Sequence, residues 1–304
     1  METKNSLIKR LIALAMCGVM VLSLASCSGD RGSSSEESSI SNPITEPSSA
    51  DPVEPDQTIL DELNTAYATN NDVVGWLTVP GTEIDDPVVQ GVDNKVYERA
   101  DWTSTSAYNW YGCYYADAGN TFGNRNDLSR NTVIYGHNMH NVTDGPKDTL
   151  KFGALQKFVD FNGDGTIFGD DVATANDFSF AEQNPVIYFS TTDDEMVWVI
   201  YAVYFTDLSF QYHLENPDDA TFESMIAEAK DRSRLDYDVD VNKTDKILTL
   251  STCAYKYGVD KRDLRLVVQA RLLRPGEEIP TTAKVTKNND VKEPAQHATT
   301  PVAG

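Results

Sequence analysis

The chain has 304 residues, with 47 Asp or Glu against 25 Lys or Arg, a formal charge of −22. That length suits one large domain or two small ones with a real core. The acidic balance excludes a nucleic-acid binder, which needs a basic face to meet phosphates. The four cysteines, Cys17, Cys27, Cys113 and Cys253, are too few for a disulfide scaffold, and their spacing resembles no zinc site.

In chain order, Lys4, Lys9 and Arg10 form a basic start, and an apolar run from Leu11 to Leu24 leads to Ala25-Ser26-Cys27. Small residues before a cysteine, after a short apolar run, read as a secretion signal over residues 1–26. The segment resembles a bacterial lipobox, which implies a lipid on Cys27. An uncleaved signal anchor is the alternative, since residues 7–26 just reach bilayer length. The position of Cys27 at the cleavage point favours the lipoprotein. Residues 28–56 hold nine Ser, four Pro and seven acidic side chains. Such a composition cannot fold, so 27–56 is expected to be a disordered tether.

Ile59, Leu63, Ala66 and Tyr67 share a helical face over 57–70. Strands are expected at 73–79, closed by Pro80-Gly81, and at 88–89, 112–116, 132–135, 186–189, 196–205, 246–252 and 264–273. The 196–205 strand is apolar on both faces and should be central. A helix is expected over 149–159, and a longer one over 218–234 with Phe222, Met225, Ile226 and Ala229 on one face. Residues 275–304 carry no periodicity and read as a disordered tail, leaving 57–274 as the folded domain. Many short strands with a few helices between them point to a closed barrel with helical decorations.

Chemistry gathers at three places. The strand Leu248-Thr249-Leu250-Ser251-Thr252 delivers Cys253 at its C-terminal end. Twelve residues on, Arg265 opens a strand whose alternation puts Arg265, Val267, Gln269 and Arg271 on one face. A guanidinium beside Cys253 would favour a thiolate and stabilise an oxyanion. The strand Thr132-Val-Ile-Tyr135 exits through Gly136-His137, where the glycine permits close backbone approach. His140 is the local competitor, while His213 and His297 have no comparable setting. Cys113, in an aromatic strand, reads as a small buried hydrophobe.

Together these segments resemble the sortases. The N-terminal part resembles the class B members: Asp72-Val-Val-Gly75-Trp76-Leu77, Pro80-Gly81-Thr82-x-Ile84, Pro87-Val88-Val89-Gln90-Gly91 and Gly112-Cys113-Tyr114-Tyr115-Ala116-Asp117. The resemblance runs from about 57 to 274 with the motifs in the family's order. It implies a mainly β fold, a closed eight-stranded sortase-like β-barrel with an N-terminal helix and a long helix between late strands. It also implies a membrane-anchored cysteine transpeptidase on the extracellular face of a Gram-positive-type bacterium. Such an enzyme cleaves a C-terminal sorting signal on secreted proteins and passes the acyl chain to an amine of a peptidoglycan precursor. Carried over by residue, Cys253 is the nucleophile, His137 the acid/base and Arg265 the oxyanion partner, with Arg262 the runner-up. Thr252, with Ser251, would contact substrate. Some class B members carry an acid two residues after the cysteine; here Tyr255 stands there, so no carboxylate third member is evident. A hydrolytic envelope cysteine peptidase and a non-enzymatic wall- or solute-binding lipoprotein are the competing readings.

One loop stands outside the resemblance. Residues 160–171 place Asp160, Asn162, Asp164, Thr166 and Asp171 at positions 1, 3, 5, 7 and 12 of an EF-hand-like loop, with Gly165 at position 6. The alternative is an acidic turn. No cofactor is expected for catalysis, and a structural calcium is expected here. Calcium at about 10⁻⁴–10⁻³ M should raise the melting temperature of the wild type and not of Asp160→Ala. An unchanged melting temperature in both would remove the site.

Overall fold

The computed structural model describes residues 52–53, 55–138, 151–160, 177–256 and 263–295. The signal segment with Cys27, the tether up to residue 51, and loop positions 161–171 lie outside the described residues. Among the described residues, no helix is long and apolar enough to cross a membrane.

Helix α1 (Gln57–Thr69) begins at Asp56, whose carboxylate accepts from the backbone N–H of Thr58 and Ile59 at 2.7 and 3.3 Å. This satisfies two of the orphan amides of the first turn. Ile59, Leu63 and Ala66 are buried, as the spacing predicts.

The strands of the barrel are β1 (Val73–Thr78), β2 (Asp85–Gln90), β5 (Tyr114–Ala116), β6 (Asn131–Tyr135), β7 (Val186–Ser190), β8 (Val197–Thr206), β10 (Ile247–Cys253) and β11 (Arg265–Leu272). They close in the order β1-β2-β5-β6-β10-β11-β8-β7. The expected closed eight-stranded barrel is therefore present. The β2–β5 and β6–β10 pairs are parallel, and the other pairs are antiparallel. A small hairpin, β3 (Ala100–Asp101) and β4 (Ser104–Tyr108), hangs between β2 and β5. Strand β9 (Leu235–Tyr237) lies outside the barrel.

Alternate side chains of β10 and β11, Leu248, Leu250, Leu266, Val268 and Ala270, point into the interior with Trp198, Phe189 and Ile134. The opposite face of β8 is covered by helix α3 (Asp219–Arg232), through Phe222, Met225, Ile226 and Ala229 against Tyr201, Tyr204 and Val267. Covering on both sides explains why β8 is apolar throughout. A bulge at Tyr201, between the pairs Gln269↔Ala202 and Ala270↔Ile200, swings its hydroxyl to Gln269 Oε1 at 2.8 Å.

Two expectations are corrected. The α-helix expected over 149–159 is a 3₁₀ helix, Phe152–Phe158. Phe152, Leu155 and Phe158 recur every third residue and are all buried, and a period of three is the 3₁₀ period. The tail is not disordered from 275: β12 (Val285–Lys287) pairs antiparallel with β9, Val285 opposite Tyr237. Val285 joins the core, Arg234 pairs with Glu293, and Lys292 Nζ meets Glu228 Oε2 at 2.6 Å. The anchor is a lone valine among polar residues, which leaves no periodicity to read. A short helix, α2 (Ser179–Gln183), also appears, and Ala283 N donates to its Glu182 O at 2.7 Å.

Burying a valine is worth roughly 1.5–3 kcal/mol. A chain stopped after Glu278 should therefore melt roughly 5 °C or more below one stopped after Ala295. Equal melting temperatures would show the strap to be dispensable.

Candidate active site

The site is assembled at the C-terminal ends of two parallel strands. Tyr135 of β6 pairs with Ser251 of β10, so His137 and Cys253, each two residues further on, leave the wall side by side. On the other flank of β10, Cys253 lies directly opposite Arg265 in the antiparallel register. The three residues singled out in the sequence thus stand on adjacent strand ends in the order His137, Cys253, Arg265, and all are half-buried. Arg262, His140 and His297 lie outside the described residues. His213 packs edge-on against Tyr212, its ring centroid 5.4 Å away.

Hydrogen bonds brace this juxtaposition. Gly136 N donates to Ser251 O at 3.3 Å, and Thr252 Oγ1 donates to Gly136 O at 2.7 Å. Asn138 Nδ2 donates to Cys253 O at 2.9 Å, and Gln156 Nε2 donates to Asn138 Oδ1 at 3.2 Å. Asn138 is buried, and it ties the exit of the histidine strand to the cysteine. Asn138 stands in the Gly136-His137-Asn138-Met139 segment of the resemblance, but the sequence assigned it no role, because its partner Cys253 is 115 residues away.

Thr252 and Ser251, the expected substrate contacts, lie in the wall beside Cys253. Thr252 is buried and its hydroxyl is committed to Gly136 O. Ser251 is buried with its hydroxyl 2.9 Å from that of Tyr212. Both hydroxyls brace the wall.

The partner of His137 is not a carboxylate. Its Nε2 lies 2.6 Å from the backbone carbonyl of Glu98. A carbonyl only accepts, so Nε2 carries the proton and neutral His137 keeps a lone pair at Nδ1. Burial lowers the histidine pKa from its usual 6.5; the Glu98 carbonyl opposes this and Arg99 adds to it. Gly112, at φ +61°, lies against the same ring. A Cβ there would meet Glu98 O at 2.6 Å and His137 Cδ2 at 2.9 Å. The backbone role of Glu98 has no sequence signature, since any residue supplies a carbonyl.

Beneath the site the outer face of the wall carries a polar network. Thr249 Oγ1 donates to Asn131 Oδ1 at 2.7 Å, and Gln269 Nε2 donates to Thr249 Oγ1 at 3.0 Å. Asn131 Nδ2 reaches Tyr212 O at 2.9 Å. Cys113 is buried with its Sγ 3.8 Å from Tyr97 O, and burial pushes its thiol up to about 12, so it is inert, as expected. Among the described residues no group of His, Cys, Asp and Glu is arranged to hold a metal.

A sequence profile for the sortase domain matches residues 77–273. Sortase B of Listeria monocytogenes is 32% identical over 216 residues, covering 71% of this chain and 75% of its own. The chain belongs to the sortase family, and to its class B. Among solved structures, the Staphylococcus aureus sortase B–substrate complex matches with a TM-score of 0.56 at 25% identity, over 70% of this chain and 85% of that one. Clostridium perfringens sortase B matches with a TM-score of 0.54 at 26% identity, over 69% and 98%. The chain is accordingly a cysteine transpeptidase of the sortase B type, and the fold expected from the sequence resemblance is the one found.

Gly112→Ala should displace the His137 ring and lower turnover about tenfold or more, since displacements near 1 Å cost up to about a hundredfold. The acid limb of the kcat/KM profile should lie below pH 6.5 in the wild type, the direction burial imposes on His137. Unchanged turnover in Gly112→Ala, or an acid limb above 6.5, would contradict this account of the ring.

Proposed function

We propose that Cys253 is the nucleophile, His137 the general acid and base, and Arg265 the oxyanion-stabilising group of a sorting transpeptidation. The observation that carries this assignment is the strand register, which sets the three side chains on adjacent strand ends. The Cys253 thiolate attacks the scissile carbonyl carbon of a sorting signal, and the negative charge moves to the carbonyl oxygen, where Arg265 meets it. Collapse of the tetrahedral species breaks the C–N bond, and imidazolium His137 protonates the departing amine. A thioester remains on Cys253. An incoming amine attacks it, neutral His137 takes the amine's proton, and the thiolate leaves.

Burial lowers the pKa of His137 from its usual 6.5, so the ring is mostly neutral at pH 7. Imidazolium His137 is accordingly the minor form of the ring near pH 7. The donor is a secreted protein bearing a C-terminal sorting signal, and the acceptor is an amine of a peptidoglycan precursor. The chain works on the outer face of the cell membrane of a Gram-positive-type bacterium, held there by a lipid on Cys27 or by an uncleaved anchor. The basic-apolar-Cys27 start supports that location.

Cleavage of sorting peptides with and without an amine acceptor tests the assignment. Cys253→Ala should abolish thioester formation. His137→Ala should cost about 10²–10⁴-fold. Arg265→Lys should be severely impaired, because lysine lacks the planar fork. Near-normal Arg265→Lys with loss in Arg262→Ala would transfer the oxyanion role, and release of free acid alone despite excess amine would make the chain a hydrolase.

A further inference from the structure

Three aromatic side chains stand in solvent beside the site: Tyr108, Trp110 and Tyr111 are 71, 58 and 44% exposed. They belong to an ordered loop. Asn109 N donates to Arg99 O at 3.1 Å, Asn109 Nδ2 to Asp101 Oδ2 at 3.1 Å, and Tyr111 N to Asn109 Oδ1 at 3.0 Å. The Arg99 guanidinium lies over the Trp110 ring, 4.7 Å from its centroid. Exposed aromatics gathered in a rigid loop mark a contact surface.

Two observations define what that surface takes. Residues 102–116 carry no charged side chain, in a chain whose residues are 24% charged. Ser104, Ser106 and Tyr108 alternate onto one face of β4, with the two serine hydroxyls 2.9 Å apart. Neutral hydroxyls beside aromatic faces match a neutral, polyhydroxylated ring with an apolar C–H face. They do not match an anionic lipid surface, which a chain of charge −22 would repel. Position is the second. The loop ends at Gly112, against the His137 ring, on the side of Cys253 opposite Arg265. The departing and the incoming amine both exchange a proton with His137, so the acceptor's carrier passes this side.

We propose that Tyr108, Trp110 and Tyr111 form a stacking platform for the sugar rings of the acceptor, which positions its amine at His137. The proposal rests on the transpeptidase reading with a wall-precursor acceptor. The test compares two acceptors for the full-length chain in detergent: an amine-bearing peptide, and the same peptide joined to an N-acetylated disaccharide. In the wild type the disaccharide acceptor should have the lower KM. Trp110→Ala and Tyr108→Ala should each shrink that KM ratio roughly tenfold or less, the scale of one stacked ring. In parallel, a β-1,4-linked N-acetylglucosamine tetramer should change the tryptophan fluorescence of the wild type and not of Trp110→Ala. Saccharide binding without transfer to either acceptor would uphold the platform and sink the transfer reading. Transfer with equal KM values and no saccharide response would overturn the platform and leave the transfer reading intact. A Trp110 response to zwitterionic vesicles alone would overturn it in favour of a membrane. A KM change confined to the sorting peptide would overturn it in favour of the departing half of the donor.

Discussion

The parallel pairing of β6 with β10 is the constraint on which the site depends. A one-residue slip in either strand would send His137 or Cys253 to the opposite face. The register is held from both sides of the wall. Ile134, Leu248 and Leu250 fill the barrel interior, while Asn131 and Thr249 meet on the outer face at 2.7 Å. The last rungs are made by side chains: Thr252 to the Gly136 carbonyl and Asn138 to the Cys253 carbonyl. These bonds bracket the positions of His137 and Cys253, the residues assigned the reaction.

Electrostatics at the site follow from what orients the histidine. A carboxylate partner would favour imidazolium; a backbone carbonyl fixes the tautomer without adding a full charge. With burial acting against the charged form, His137 is mostly neutral near pH 7. This suits a thioester that must await an amine, because the same ring then stands ready to accept the amine's proton.

The entry to the domain is fastened separately from the site. Asp194, fully buried, receives Arg125 through Nε at 2.8 Å and Nη2 at 2.7 Å, and the backbone N–H of Val53 at 2.9 Å. Glu195 receives Asp56 N at 3.0 Å, one residue before α1. A buried bidentate pair of this kind leaves an uncompensated charge if one member is lost, at a cost of about 3–5 kcal/mol. The chain that leads into the domain is thereby fixed to the β7–β8 turn. At the far end of the domain, β12 on β9 does the corresponding work with a single valine.

Local pattern was enough for most of the barrel, and resemblance to a family singled out the residues proposed to react. Alternation and β-branched runs marked the barrel strands, and the Leu-Ser-Thr-Cys253, Gly136-His137 and Arg265 segments could be named before any geometry was known. These signals are local because burial on a strand writes a period of two into adjacent residues. What only the tertiary structure decided is non-local. Which partners the Thr252 and Ser251 hydroxyls meet depended on Gly136 and Tyr212, which lie 116 and 39 residues away. The orientation of His137 came from a backbone carbonyl, which any side chain at position 98 would provide. Gly112 was legible as a glycine but not as the floor of the histidine ring, because that contact joins residues brought together only when the barrel closes. The strap at Val285 was invisible for the same reason: one apolar residue has no period, and its partner Tyr237 is chosen by the fold.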